Sequence, residues 1–185
     1  AAGAVVLGKT NVPPALGDWQ SANPIYGRTN NPYDLTRSPG GSSGGGAAAI
    51  AMGFSALEMG SDIGGSIRIP AAFCGVFGHK STYGLIPMGG HMFGGLIGAP
   101  PPLSVLGPLA RSAEDLALAL NVVAGPDSDS PFNKLALPPP RHDRLSNYRV
   151  FILDSHPAAD VDSSVRNAIE SVARHLTAEG ASVAH

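Results

Sequence analysis

Two glycine-flanked serine clusters lie within one short stretch of the chain, and they restrict its fold more than any other feature. The first reads Gly40-Gly41-Ser42-Ser43-Gly44-Gly45-Gly46, the second Gly60-Ser61-Asp62-Ile63-Gly64-Gly65-Ser66-Ile67-Arg68-Ile69-Pro70. Glycines in such density open backbone conformations closed to other residues and let the chain approach a neighbour or a ligand closely. A flexible linker would continue in glycine and serine, but here small and apolar residues follow each cluster at once. The pair therefore reads as two tight turns of a folded core. The first cluster also satisfies a Gly-x-Ser-x-Gly pattern. That elbow needs a strand directly before it, and Thr36-Arg37-Ser38-Pro39 is not one.

A core of useful size is within reach of 185 residues, which suit one large domain. The 24 glycines and 17 prolines are nearly twice the usual share and point to a loop-built site. With 43% hydrophobic residues the chain is not a disordered one. A net charge of −2 gives no sign of a nucleic-acid or anionic-membrane partner. The single cysteine, Cys74, excludes an internal disulfide and reads as a small buried apolar residue; a cytoplasmic location is expected. No apolar run reaches the roughly 20 residues of a membrane span. The six histidines show no metal-ligand spacing, so neither a metal nor a cofactor is expected. Ala1 to Gly8 lacks the charged region of a signal peptide. Both termini read as strands in progress, as in a segment of a longer protein.

Hydrophobic periodicity and breaker residues predict the elements. Ala4–Leu7 is expected as a buried strand, 10–41 as irregular loop, and Gly44–Met52 as a small-residue helix with Ser42-Ser43 at its N-terminus. A short strand follows at Ala56–Gly60, a helical turn at Ile67–Phe73 and a strand at Val76–Lys80. Residues 84–108 read as loop. Ser112–Ala124 is a helix, with Ser112 as N-cap, Glu114 and Asp115 in its first turn and Gly125-Pro126 as stop. A loop over 125–146 leads to a strand at Tyr148–Leu153. Asp160–Glu179 carries Val161, Val165, Ile169, Val172 and Leu176 on one helical face. Strand, helix and a final strand make a βαβ unit, so the fold class is α/β with a mixed, partly parallel sheet flanked by helices.

A carbonyl under nucleophilic attack develops an oxyanion, and successive backbone amides are a common way to meet it. Ile63, Gly64, Gly65 and Ser66 offer four such amides, two of them free of side chains. Ser66 would attack, and Ser42 would relay its proton towards a base; a lysine of lowered pKa can fill that role. Asp62 and Arg68 read as an ion pair that braces the turn, with Ser43 a further supporting residue. Trp19 and the Met88–Gly98 loop are candidates to line an acyl pocket.

These residues carry a resemblance. GKTN (8–11), SPGGSSGG (38–45), LEMGSDIGGSIRIPAAFCGVFG (57–78), YGLIP (83–87) and GPLARSAEDLALALNVVAGPD (107–127) resemble the amidase signature family. The resemblance implies one partial amidase domain over 1–185: a signature core at 1–127, a loop at 128–147 and the βαβ segment at 148–185. It implies amide hydrolysis by a Ser–cis-Ser–Lys triad, with an acyl-enzyme on Ser66 and Ser42 preceded by a cis peptide. The family's lysine stands in a Lys-Asp context upstream of the first cluster. Lys9, Lys80 and Lys134 are the chain's only lysines and none has that context, so the third member is expected outside these residues. The expected partner is a small-molecule amide, with room for a homodimer. Two alternatives are an ammonia-generating protein of the kind that serves a tRNA-dependent amidotransferase and a non-catalytic scaffold. The former typically reads Ser-Ile-Arg-Gln-Pro, whereas this chain has Ile69 before the proline.

Overall fold

A computed structural model describes residues 3–91, 101–126 and 135–185. The chain divides into two compact units, Ala1–Leu137 and Pro138–His185.

The first unit opens on extended chain. Val5, Val6 and Leu7 are exposed and make no strand, against the expectation for Ala4–Leu7. An apolar run becomes a strand only where another strand accepts its backbone hydrogen bonds, and none of the described residues pairs with it. A 3₁₀ turn at Pro14–Leu16 follows. Next comes a small hairpin, β1 (Ala22–Asn23) and β2 (Gly27–Arg28).

Helix α1 spans Gly44–Ala51, one residue short of the expected span. Ser43 is its N-cap residue but makes no side-chain capping bond. Its glycines and alanines let it pack directly on α2 (Arg68–Cys74) and on β3 (Leu57–Asp62). Pro70 is tolerated in α2 because it sits in the first turn, where its missing N–H has no partner to lose. Gly75 ends α2 in the left-handed conformation, φ 63°.

Strand β4 covers Phe77–Gly78 and β5 covers Val105–Ala110. The sheet order is β3-β5-β4, antiparallel throughout. The central strand β5 overturns the loop reading for 105–108, while 84–91 and 101–104 lie outside helices and strands as expected and 92–100 lie outside the described residues. The Gly107-Pro108 pair of β5 looks like a breaker in sequence. Within a strand, one residue's N–H and C=O point to the same side. The Pro108 carbonyl accepts from His79 N at 3.0 Å, so the missing N–H falls on the short β4 side and spares the six-residue ladder with β3. Ile50, Ile67, Cys74 and Leu109 form the fully buried centre, closed by Ala47, Ala48 and Ala71. Helix α3 (Ala113–Val123) lies on β5 and β4. Ser112 Oγ accepts from the Asp115 amide at 3.1 Å, the cap expected from the sequence.

The second unit is a βαβ element. β6 (Arg149–Phe151) and β7 (Ser182–Ala184) pair in parallel, with α4 (Ser163–Ala178) between them in sequence. Asp162 caps α4 by accepting from Ser164 N at 2.8 Å. Ala173 is the buried centre of its apolar face, while Val165 and Val172 are exposed. No helix among the described residues is long and apolar enough to cross a membrane.

Candidate active site

The two serine clusters meet. The Ser43 amide donates to the Ser66 carbonyl at 3.1 Å, and Ser42 and Ser66 line the same cavity of about 90 Å³. Ser42 is buried and Ser66 half-buried. The clusters approach this closely because several positions have no room for a Cβ. One on Gly60 would stand 2.6 Å from Ser43 Oγ, and one on Gly40 2.9 Å from Pro70 Cα. The Gly41–Ser42 peptide is cis.

The second cluster is organised by Asp62, which is fully buried. Its Oδ1 accepts from the Gly65 amide at 2.9 Å and its Oδ2 from the Ile67 amide at 3.0 Å. The Arg68 amide reaches Oδ2 at 3.3 Å. The guanidinium of Arg68 forks onto both oxygens, with Nε to Oδ2 at 3.1 Å and Nη2 to Oδ1 at 2.9 Å. Burial by itself raises the Asp62 pKa. The bonds from Arg68 and from the three amides outweigh it and hold the carboxyl at about 2. Two of those amides, Ile67 and Arg68, are otherwise unsatisfied donors at the start of α2. One carboxylate therefore both caps a helix and draws the Ile63–Ser66 turn tight. Gly65 adopts φ 117°, and a Cβ there would lie 2.6 Å from Ile69 Cδ1.

The same geometry bears on the four amides of the turn. Of the four amides read as an oxyanion hole, the Gly65 N–H already points at the Asp62 carboxylate, because a charge-assisted bond is the stronger one available to it. Among the described residues, no hydrogen bond engages the amides of Ile63, Gly64 or Ser66.

The cavity has an apolar wall of Leu16, Ile63 and Met88, with Ser61 and Ser104 as further hydroxyls. His91 lines it too. Trp19 does not, and stands 57% exposed. Residues 92–98 of the expected pocket loop lie outside the described residues. No lysine is among the described residues that line the cavity, and Lys134 is outside them. Cys74 is buried, its Sγ donating to the Pro39 carbonyl at 3.4 Å, and burial pushes its thiol up to about 11. It is a packing residue, as its neighbours in sequence suggested. Sequence reasoning did not single out Ser21, Leu16 or Ser104. They stand in segments whose composition reads as plain loop, and only the tertiary structure brings them to the clusters.

The sequence profile of the family described as Amidase matches residues 1–185. The chain is 39% identical to the amidotransferase component named for glutamyl-tRNA(Gln) in Synechococcus sp. (strain JA-3-3Ab), covering 99% of this chain and 36% of that protein. It is 50% identical over 125 residues to human fatty-acid amide hydrolase 2, covering 68% of this chain and 23% of the relative. The crystal structure of the glutamyl-tRNA(Gln) amidotransferase component from Thermotoga maritima superposes with a TM-score of 0.80 at 29% identity, over 97% of this chain and 39% of the other. The chain thus spans little more than a third of the length of the curated relatives it matches first. Its paired serine turns, its fold and these likenesses agree: the chain belongs to the amidase signature family.

Proposed function

We propose that these residues carry the nucleophile and the oxyanion site of an amide hydrolase that acts on a small, uncharged carboxamide. The observation that carries this is the convergence of Ser42 and Ser66 on one cavity, with the two clusters joined by the Ser43–Ser66 backbone bond. Ser66 Oγ attacks the carboxamide carbon. Its proton passes to Ser42, and the Ser42 proton to a lysine contributed from outside these residues. The oxyanion rests on the amides of Ile63, Gly64 and Ser66. The C–N bond then breaks, and the proton returned through Ser42 leaves with ammonia or an amine. Water cleaves the Ser66 ester by the same relay in reverse.

A neutral substrate suits the cavity, whose lining among the described residues holds no carboxylate, lysine or arginine. A charged acyl group would be desolvated there without a counter-ion. Asp62, Arg68 and Ser43 support the turn and take no part in the chemistry.

In the complete polypeptide that carries these residues, Ser66→Ala abolishes amide hydrolysis and labelling by a fluorophosphonate probe. Ser42→Ala leaves weak turnover, lower by about 10²–10⁴. Labelling of the Ser66→Ala protein at another serine would refute the assignment. A second reading, ammonia supply to a tRNA-bound acceptor, draws on the likeness to the glutamyl-tRNA(Gln) amidotransferase component across 99% of the chain. Ile69 stands against it. Turnover that requires partner proteins and tRNA would favour that reading; ammonia release by the protein alone favours the first.

A further inference from the structure

Ser21 precedes β1 and lies outside both clusters, yet its side chain is only 1% exposed. Its Oγ donates to the Gly40 carbonyl at 3.0 Å and lies 3.4 Å from the Ser42 carbonyl oxygen. The hydroxyl thus spans the loop that presents Ser42, bonding to it on both sides of Gly41. Ser21 is itself anchored. Its carbonyl accepts from Thr29 N at 2.9 Å and from Asn11 Nδ2 at 3.1 Å. Asn11 Nδ2 also reaches the Gly27 carbonyl and Thr29 Oγ1, both at 3.1 Å. A Cβ on Gly44 would come within 3.1 Å of Ser21 Cβ, so the first turn of α1 leaves the hydroxyl little room to move.

We infer that Ser21 is a positioning residue for the proton relay: its hydroxyl fixes the carbonyls of Gly40 and Ser42 and thereby sets where Ser42 Oγ stands relative to Ser66. This inference rests on the roles proposed for Ser42 and Ser66. Removing the hydroxyl leaves two carbonyls in a buried loop without that donor, and the loop shifts to recover hydrogen bonds. A displacement of about 1 Å in a relay group is enough to cost on the order of 10² in rate. Ser21 is not among the residues that line the cavity; it reaches the site only through the backbone that carries Ser42, so its loss acts on the chemical step and not on binding.

The test is made in the complete polypeptide, well below its melting temperature, with Ser21→Ala and Ser21→Cys. Ser55→Ala is the control, because Ser55 Oγ is buried with no hydrogen-bond partner among the described residues. In Ser21→Ala, kcat falls about 10- to 100-fold with KM within about twofold, and fluorophosphonate labelling of Ser66 slows in proportion. Ser21→Cys, which keeps a weak donor, falls between that variant and wild type, and Ser55→Ala matches wild type. Unchanged kcat in Ser21→Ala, or a loss confined to KM, overturns the inference. If Ser21→Ala does not fold, Ser21→Cys decides: an intermediate kcat supports the positioning role and a wild-type kcat removes it. An inactive Ser66→Ala beside a fully active Ser21→Ala sinks this inference alone. A Ser66→Ala protein that still hydrolyses amide sinks the site assignment beneath it.

Discussion

Asp62 shows how much one side chain can organise. Its carboxylate is buried, forked by Arg68 and bonded to three amides, so it titrates at about 2 instead of 3.8. A carboxyl whose folded pKa is depressed stabilises the fold above its unfolded pKa and loses that contribution as pH falls through the folded one. The window here runs from about pH 4 down to about pH 2, and at 1.36 kcal/mol per pKa unit the contribution is about 2 kcal/mol. Urea unfolding of Asp62→Asn at neutral pH is expected to show a loss of about 2–4 kcal/mol. The acid-dependent decline between pH 4 and 2 should become shallower in the same variant; an unchanged slope would assign that decline to other carboxylates. Burial also keeps the Cys74 thiol protonated, so a thiol reagent is expected to modify it only on unfolding. Rapid reaction of the native chain would contradict its packing role. The pairing of Asp62 with Arg68 was legible in the sequence because both residues flank one turn. The competition for the Gly65 amide was not, because it depends on where a carboxylate oxygen points.

At the scale of elements, α1 sets a general preference against a local clash. Alanine is favoured over glycine in a helix by about 0.8–1.0 kcal/mol. A Cβ on Gly45, however, would stand 2.5 Å from the Asn11 carbonyl oxygen and 2.6 Å from its amide nitrogen. Both are backbone atoms and cannot rotate away, and overpacking of this kind costs about 1–3 kcal/mol or more. Gly45→Ala is therefore expected to destabilise the chain by about 1–2 kcal/mol net, read as a lower thermal midpoint, where an exposed helical glycine would raise it. Ser112→Ala removes the cap of α3 and is expected to cost about 1 kcal/mol, with no effect on labelling of Ser66. Local signals placed α1, α3, α4 and the βαβ order, because caps, acidic first turns and terminal glycines act within a few residues. They did not place β5, whose Gly107-Pro108 reads as a break. A strand between two others is held by its neighbours, and those neighbours are distant in sequence.

For the whole molecule, the chain alone is not expected to work as an enzyme. In the proposed relay the base that takes the Ser42 proton comes from outside residues 1–185, and loss of general base catalysis costs on the order of 10²–10⁴ in rate. Purified residues 1–185 are expected to release no ammonia from simple aliphatic or aromatic amides beyond the level of their Ser66→Ala version. Turnover above that control would mean that a group within the chain serves as base. Val5, Val6, Leu7, Phe54 and Leu153 are all exposed, so the same preparation should bind an apolar dye strongly. What the amino-acid order determined was chemistry that depends on residue type and short spacing: two serines among glycines, an Asp and Arg around one turn, capped helices and family membership. What only the tertiary structure decided was which of those groups meet. Val5 to Leu7 have strand character but pair with none of the described residues, Gly65 donates to Asp62, and Ser21 reaches the Ser42 loop from a distant segment. Hydrogen bonds form between atoms a few ångströms apart in space, whatever their separation along the chain, so spacing in the sequence names the donors and acceptors and the fold selects the pairs.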